Sequence, residues 1–437
     1  MRFAIDLLYL LAGLAFCPIV LYRMIRHQRY RRGWGQRFGT ISRQHPERPC
    51  IWLHAVSVGE VNAAKTLLTE LERRFPNFEI VISTTTDTGF AQAEMLFASK
   101  WVVFYFPFDF SWTIGRVFRR LKPSLCLLME LEVWPNFVRI ADRRDIPVVV
   151  VNGRISDKSI VQYRKIRRLT RIFFDKIDLV LAQTAEYASR FQELGCPTDR
   201  VIVTSSLKYD TAQVTDRVDG ADELSRQLNL AEQRLWVAGG TGPDEERIIL
   251  EAYRGLMQDE RLADVRLAIV PRKPERFDEV AQLIEQVGFS VVRYSQLKGT
   301  TDQIAAGSRA VILGDTMGDL RKFYSLATVI LVGRSLVPMG GSDMMEAAAL
   351  GKCTLFGPHT FNFRQTVDVL LAGEGALLVR DGSELLATLQ KCLREPEYAE
   401  TIGRQGQQVI RDNQGATART VEHITKLLAS ATSPASA

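Results

Sequence analysis

The stretch WLHAVSVGEVNAAKTLL, Trp52 to Leu68, decides the fold. It runs from an apolar strand through a tight Ser57-Val58-Gly59 turn into a helix that begins near Glu60, the strand-then-helix unit from which parallel sheets are built. The same pattern continues on both sides. CIWLHAV, EIVISTTT, WVVFYFPF, SLCLLMELE, IPVVVVNGRI and IDLVLAQT are continuous apolar runs of the kind buried on both faces, separated by helical segments. RLWVAGGT, VRLAIVPR, SVVRYS, AVILGDT, TVILVGRS and CTLFGPHT repeat the alternation further on. Between them the composition turns polar at Asp210, Thr211, Gln213, Asp216, Asp219, Gly220 and Asp222, which marks a linker.

The expected architecture is therefore α/β: two Rossmann-like lobes with a central cleft, with ligands gathering beyond the carboxyl ends of the strands. The boundaries read as 1–30 for an N-terminal segment and its basic flank, 31–210 for the first lobe, 211–230 for the linker, 231–415 for the second lobe and 416–437 for a last helix and tail. A chain of 437 residues has room for both cores, and 46% hydrophobic with 24% charged residues is a globular balance. Its six cysteines include no Cys-x-x-Cys pair, so neither a zinc site nor a disulfide framework is suggested, and a reducing compartment fits best.

The net charge of +6 is modest but unevenly spread, with Arg23, Arg26, Arg29, Arg31, Arg32 and Arg37 crowded behind an uncharged stretch from Leu7 to Tyr22. Nucleic acid and anionic lipid both suit such a cluster. The apolar stretch before it favours lipid. Basic residues follow the stretch and Asp6 precedes it, the reverse of a cleaved signal peptide. The reading is an N-terminal membrane-anchor helix, single-pass or monotopic, with the rest of the chain on the cytoplasmic side and arginines against anionic head groups. A buried first helix of a soluble domain is the alternative.

Glu60 opens its helix, where exposed N–H groups and the macrodipole favour the ionised carboxylate that a base must be; the same position suits a plain helix cap. Ser83 to Gly89 is a hydroxyl-rich turn suited to binding a sugar or to capping with Thr86 or Asp87. Met129-Glu130-Leu131-Glu132 closes an apolar strand with two carboxylates, of which Glu132 is expected to be exposed to solvent. Asn152-Gly153-Arg154 and Ser205 to Asp210, with Lys208, bring cations to further strand ends.

In the second half, Gly239-Gly240-Thr241 permits close backbone approach to phosphate, but Asp244, Glu245 and Glu246 follow it and would repel an anion. Pro271-Arg272-Lys273-Pro274-Glu275-Arg276 is the better anion site, because arginine presents a planar fork to phosphate or carboxylate. Gly333 to Glu346 is a glycine-rich strand-to-helix turn whose N–H groups suit phosphate and whose Glu346 suits ribose hydroxyls, while Met344 and Met345 also read as core filling. His359 has no second ligand at metal spacing. Asp-x-Asp does not occur, so a metal-bridged nucleotide sugar is not suggested.

WGQRFG (Trp34 to Gly39), HAVSVGE, MELEVWPN, NGRIS, SSLKYD, PRKPERF, GDTMGDL and GPHTFNF, in that order, resemble the bacterial 3-deoxy-D-manno-octulosonic acid (Kdo) transferases. The resemblance implies a GT-B glycosyltransferase that inverts configuration, with CMP-Kdo as donor, the lipid A precursor lipid IVA as acceptor, no cofactor and no metal in the transfer, no nucleic-acid partner, and a place at the inner membrane. It implies Glu60 as proton acceptor and Glu130 and Lys208 as transition-state stabilisers. CMP contacts map onto Pro271, Arg272, Met317, Gly318, Asp319, Asp343, Met344, Met345 and Glu346. Two departures stand out. The family's Gly-Gly-His-Asn-Pro-Leu-Glu is Gly-Gly-Ser-Asp-Met-Met-Glu here, and its Gly-Ser-Thr is Gly-Gly-Thr. The rival readings are a two-lobed sugar-nucleotide enzyme of another kind, such as an epimerase, and a membrane-tethered protein that keeps the fold for binding only.

Overall fold

The computed structural model describes residues 2–26, 32–231, 233–305 and 308–432, so Arg29 and Arg31 of the basic cluster lie outside the described residues. The chain forms two units, Met1–Thr211 with Gln414–Ala437, and Ala212–Asn413. Each is built on one seven-stranded sheet. The first contains β1 (Cys50–His54), β2 (Glu79–Thr84), β3 (Val102–Tyr105), β4 (Leu125–Met129), β5 (Val148–Gly153), β6 (Leu179–Ala182) and β7 (Val201–Val203). Their order is β3-β2-β1-β4-β5-β6-β7, and every pairing is parallel.

The second sheet contains β8 (Arg234–Thr241), β9 (Val265–Pro271), β10 (Val291–Arg293), β11 (Val311–Leu313), β12 (Val329–Val332), β13 (Cys353–Phe356) and β14 (Leu377–Leu378). The order here is β10-β11-β9-β8-β12-β13-β14, again all parallel. The twelve apolar runs of the sequence all form strands. β7 and β14, which the sequence reading did not anticipate, are short edge strands with too few apolar residues to register as runs.

Alternation along each strand assigns its side chains to two cores. In the first sheet Ile51, Leu53, Leu127 and Val149 meet Val61, Leu67 and Leu68 of the helix Val58–Arg74, together with Val421 and Ile424 of the last helix. Trp52, Val81, Cys126 and Leu128 face the other way into an aromatic layer of Phe104, Phe118 and Phe137. The last helix, Ala416–Thr432, thus belongs to the first unit. Asp210 fixes it there by accepting from Gly415 N (2.7 Å) and Thr417 N (2.5 Å). The expected linker also differs: from Ala212 onward the chain is part of the second unit, Ala221–Gln227 is helical, and Asp216 accepts from Gln407 (3.0 Å).

The first helix, α1 (Arg2–Arg26), is pinned by polar contacts. Asp6 accepts from Ser111 N (2.8 Å), Ser111 Oγ (2.5 Å) and Asn136 Nδ2 (3.0 Å), and Tyr9 Oη donates to Asp109 (3.0 Å). Leu7, Leu8, Leu11, Leu14 and Phe16 remain exposed. Among the described residues no helix is long and apolar enough to cross a membrane, so the single-pass reading is not supported. The uncharged stretch from Leu7 to Tyr22 is shorter than the ~20 residues a span needs. Arg37 is not a free basic residue either: it is buried, donates to Thr85 O (3.0 Å) and lies over the Tyr105 ring.

Candidate active site

Each strand order reverses beside its first strand, between β1 and β4 in one unit and between β8 and β12 in the other. Loops leaving neighbouring strands diverge there, and the crevice that opens beyond the carboxyl ends is where doubly wound sheets hold ligands. Glu60 and Glu130 follow the strands of the first place and Asp343 to Glu346 those of the second, with Pro271 and Arg272 at the end of the neighbouring β9. Lys208 instead follows the edge strand β7, and Met317 to Asp319 follow β11.

At the first switch point Glu60 sits in the opening turn of the helix Val58–Arg74. Ser57 Oγ donates to Glu60 Oε1 (2.8 Å), Val56 N donates to Oε2 (2.9 Å), and Glu60 N donates back to Ser57 Oγ (3.4 Å). This is a capping box, so the structural use of Glu60 is realised. It does not displace the chemical one. Burial pushes the Glu60 carboxyl above its ordinary value and the charge of Glu130 pushes further, while the Val56 and Ser57 hydrogen bonds pull back. A carboxylate raised this way is the more basic.

Glu130 follows β4 directly with φ +55°, a conformation costly for a residue with a side chain, and its N–H returns to Val151 O (3.0 Å). The turn carries Glu132 inward. The expectation that Glu132 would be solvent-exposed is wrong: its side chain is 24% exposed, and its Oε2 accepts from Trp134 Nε1 (3.0 Å). Burial, then the charges of Glu60 and Glu130, push its pKa up to about 7.

Sequence reading assigned no role to His54, which closes β1 beside these acids. It is fully buried, stacks on Phe106 with ring centres 3.9 Å apart, and meets Ser83 O and Oγ through Nδ1 (3.1 and 3.0 Å). Its Nε2 faces Glu132 at 3.9 Å without a hydrogen bond. Burial lowers its pKa to about 3, so the ring is neutral. The signal available in sequence was a histidine closing an otherwise apolar strand.

Lys208 lies in the short helix Leu207–Thr211, which packs on the Glu60 helix. Asn152, at φ +55°, sets this turn by accepting from Leu207 N (3.0 Å). Thr86 is a plain N-cap, accepting from Gly89 N (3.0 Å).

At the second switch point Arg272 and Glu346 come together. Burial and Asp343 raise the Glu346 pKa, while Arg321 and Arg272 lower it, which places all four groups within electrostatic reach. Arg272 is exposed at the end of β9, just after buried Pro271. Asp343 accepts from Met345 N (2.9 Å). Met344 and Met345 are buried, so their side chains belong to the core, as their alternative reading allowed. Met317 is 68% exposed, and Gly318 turns at φ +87°. Asp319 is already held by Thr316 Oγ1 (2.7 Å), Lys298 (2.5 Å) and Lys322 (2.9 Å). Burial raises its pKa, but these partners outweigh that and keep it below the usual carboxylate range.

Of the three acids after Gly239-Gly240-Thr241, Glu245 and Glu246 are turned inward and Asp244 stays exposed. Glu246 pairs in the interior with Arg276 (2.6 Å), and buried Glu245 accepts from the N–H groups of Gly242 and Arg334. Arg276 is therefore committed, and Arg272 is the exposed guanidinium of the PRKPERF segment. Gly240 has φ +69° and lies against Ser342: a Cβ there would meet Ser342 Oγ at 2.7 Å. Ser342 Oγ donates to Gly240 O (2.8 Å). The two departures from the family pattern are in contact. No group of side chains suited to a metal ion occurs among the described residues.

Two doubly wound parallel-sheet units in one chain, each with polar residues gathered at its switch point, give the GT-B architecture. Residues 32–211 match the family model described as 3-deoxy-D-manno-octulosonic-acid transferase (kdotransferase). The chain is 32% identical to a 3-deoxy-D-manno-octulosonic acid transferase of Haemophilus influenzae over 96% of its own length and 97% of the relative's. It is also 32% identical to one of Bordetella pertussis, over 95% and 97%. The chain belongs to the Kdo transferase family. A UDP-GlcNAc 2-epimerase from Neisseria meningitidis, solved with UDP-GlcNAc, shares the fold at a TM-score of 0.58 and 15% identity, covering 86% of this chain and 100% of that one. That likeness is one of architecture alone.

Proposed function

We propose that the chain transfers Kdo from CMP-Kdo to a sugar hydroxyl of the lipid A precursor, lipid IVA, with inversion and without a metal. The observation that carries this reading is Glu60 in a Kdo-transferase framework, held at a switch point with its basicity raised by burial and by Glu130. In the single displacement the acceptor oxygen attacks the anomeric carbon as its proton passes to Glu60. The bond from that carbon to the phosphate oxygen breaks, and CMP leaves with the electron pair. Glu130 and Lys208 stabilise charge around the transition state. Arg272 offsets phosphate charge, and Glu346 takes ribose hydroxyls. Gly318 and the Ser342-to-Met345 turn contribute backbone. Asp319, already triply held, shapes its loop.

We also propose monotopic attachment to the cytoplasmic face of the inner membrane, with the exposed leucines of α1 in the interface and Arg26 and Arg32 near anionic head groups.

The test is CMP release from CMP-Kdo by the purified protein, with and without lipid IVA. Release that requires the lipid and is lost in Glu60→Gln supports transfer. Release that ignores the lipid, or full activity in Glu60→Gln, sinks it. Co-sedimentation with anionic but not neutral vesicles tests the attachment; equal binding to both would remove the head-group role.

A further inference from the structure

The segment WGQRFG has so far no role in the chemistry. Trp34, Arg37 and Phe38 from it line a cavity of about 670 Å³, closed on one side by Gly13, Phe16 and Cys17 of α1 and floored by aromatic rings. That volume lies within the roughly 300–1,000 Å³ of small-molecule sites. Phe38 packs on Phe108 and Trp112 (5.4 and 5.8 Å between ring centres), and the Arg37 guanidinium is engaged by Thr85 O and the Tyr105 face. The lining is mostly apolar, and its polar members Tyr9 and Asp109 bond to each other.

Its position is specific. Trp134 and Thr85 form the inner end, and Trp134 is the residue whose indole holds Glu132 beside Glu60. The outer end is α1, whose opposite face carries the exposed leucines. The helix is held across the cavity by Asp6 on Ser111 and Asn136 and by Tyr9 on Asp109. A mainly apolar cavity therefore runs from α1 to Trp134, one hydrogen bond away from Glu132. The few polar side chains there are already paired, Arg37 with Thr85 O and Tyr9 with Asp109, so the cavity suits an apolar chain better than a sugar.

We propose that this groove seats an acyl chain of the acceptor, so that a sugar hydroxyl reaches Glu60 while the chain lies between α1 and the Trp34–Phe38 wall. This rests on the transfer reading above and adds a specificity site to it.

Gly13 gives the direct test, because a Cβ built there meets nothing within 4 Å. Gly13→Phe starts from this open Cβ position on the cavity wall and adds bulk there. Wild-type protein should use lipid IVA better than its deacylated disaccharide by about tenfold or more in kcat/KM, through KM. Gly13→Phe should erase that preference while leaving turnover of the disaccharide intact. Equal use of the two acceptors by wild type, or equal losses on both in the variant, overturns the proposal.

A second readout needs no turnover. Cys17 is exposed and the other five cysteines are buried, so maleimide labelling of the folded full chain reports on Cys17. Lipid IVA without donor should slow labelling about tenfold or more, the disaccharide should not, and Gly13→Phe should abolish the protection. Unchanged labelling overturns the groove. So does protection by anionic vesicles alone that persists in Gly13→Phe, since α1 would then be covered by bilayer. If neither acceptor releases CMP, the transfer reading fails while Cys17 protection still decides the groove.

Discussion

The two units share a strand count, a strand direction and the place where the strand order reverses, yet their switch points carry opposite chemistry. The first gathers two further carboxylates, Glu130 and Glu132, and a neutral histidine around Glu60. The second gathers Arg272, Arg321 and left-handed glycines around Glu346. The sheet fixes where a site forms. The few residues after each strand decide what gathers there. The first site crowds like charges in a buried place, which raises the basicity of Glu60, and the second leaves a guanidinium exposed; on the proposed reading the one takes a proton and the other holds the donor phosphate.

The sharpest break in this comparison is Glu60→Gln. The amide oxygen still accepts from Val56 N and the amide NH2 can donate to Ser57 Oγ, so the cap survives while the base is lost. We expect kcat to fall by about 100-fold or more with donor KM little changed. A matching fall in melting temperature would return Glu60 to a capping role. At the other site, Arg272→Ala should leave the lipid KM alone and weaken CMP binding about 10- to 100-fold, the range for a charge-assisted hydrogen bond. Calorimetry with CMP reads this directly, and unchanged affinity would remove Arg272 from the donor site.

Glu130→Gln tests the crowding itself. With the charge that raises Glu60 gone, Glu60 should ionise more easily, moving the acid limb of the kcat/KM profile to lower pH. Glu132 tests it through stability. The folded-state pKa of Glu132, about 7, is raised above its unfolded value, so the favourable contribution of its protonated form is complete below the unfolded pKa and lost as pH rises through about 7. Glu132→Gln should therefore raise the melting temperature at about pH 8 and change it little near pH 4. A shift of similar size at both would show that the Trp134 contact, not charge, is what matters.

The strands were legible because both faces are covered, which writes them as unbroken apolar runs such as VVVVNG. Glu60 was legible because a strand, a tight turn and a helix are local events. Glu132 was not. Its burial follows from the left-handed turn at Glu130 and the cover of Trp134, neither of which local hydropathy reports. The place of the last helix was hidden for a related reason: Asp210 and Thr417 meet across 207 positions of chain, and no window of sequence spans that. Arg276 and Arg272 look alike in PRKPERF, and only the position of Glu246 shows which one is spent.

The smallest expected effect concerns the altered donor loop. Where the family pattern has serine at position 240 and histidine at 342, this chain has glycine and serine, which places the hydroxyl on the opposite partner of one contact. With φ at +69° and Ser342 Oγ only 2.7 Å from a Cβ, Gly240→Ser alone should cost about 1–3 kcal/mol of stability through backbone strain and overlap. In a Ser342→Gly background the overlap is absent and the lost bond to Gly240 O is already accounted for, so the same substitution should cost less. A double-mutant cycle in denaturant should show about 0.5–3 kcal/mol of coupling. Additivity within about 0.5 kcal/mol would mean that the two departures arose independently and that contact alone joins them.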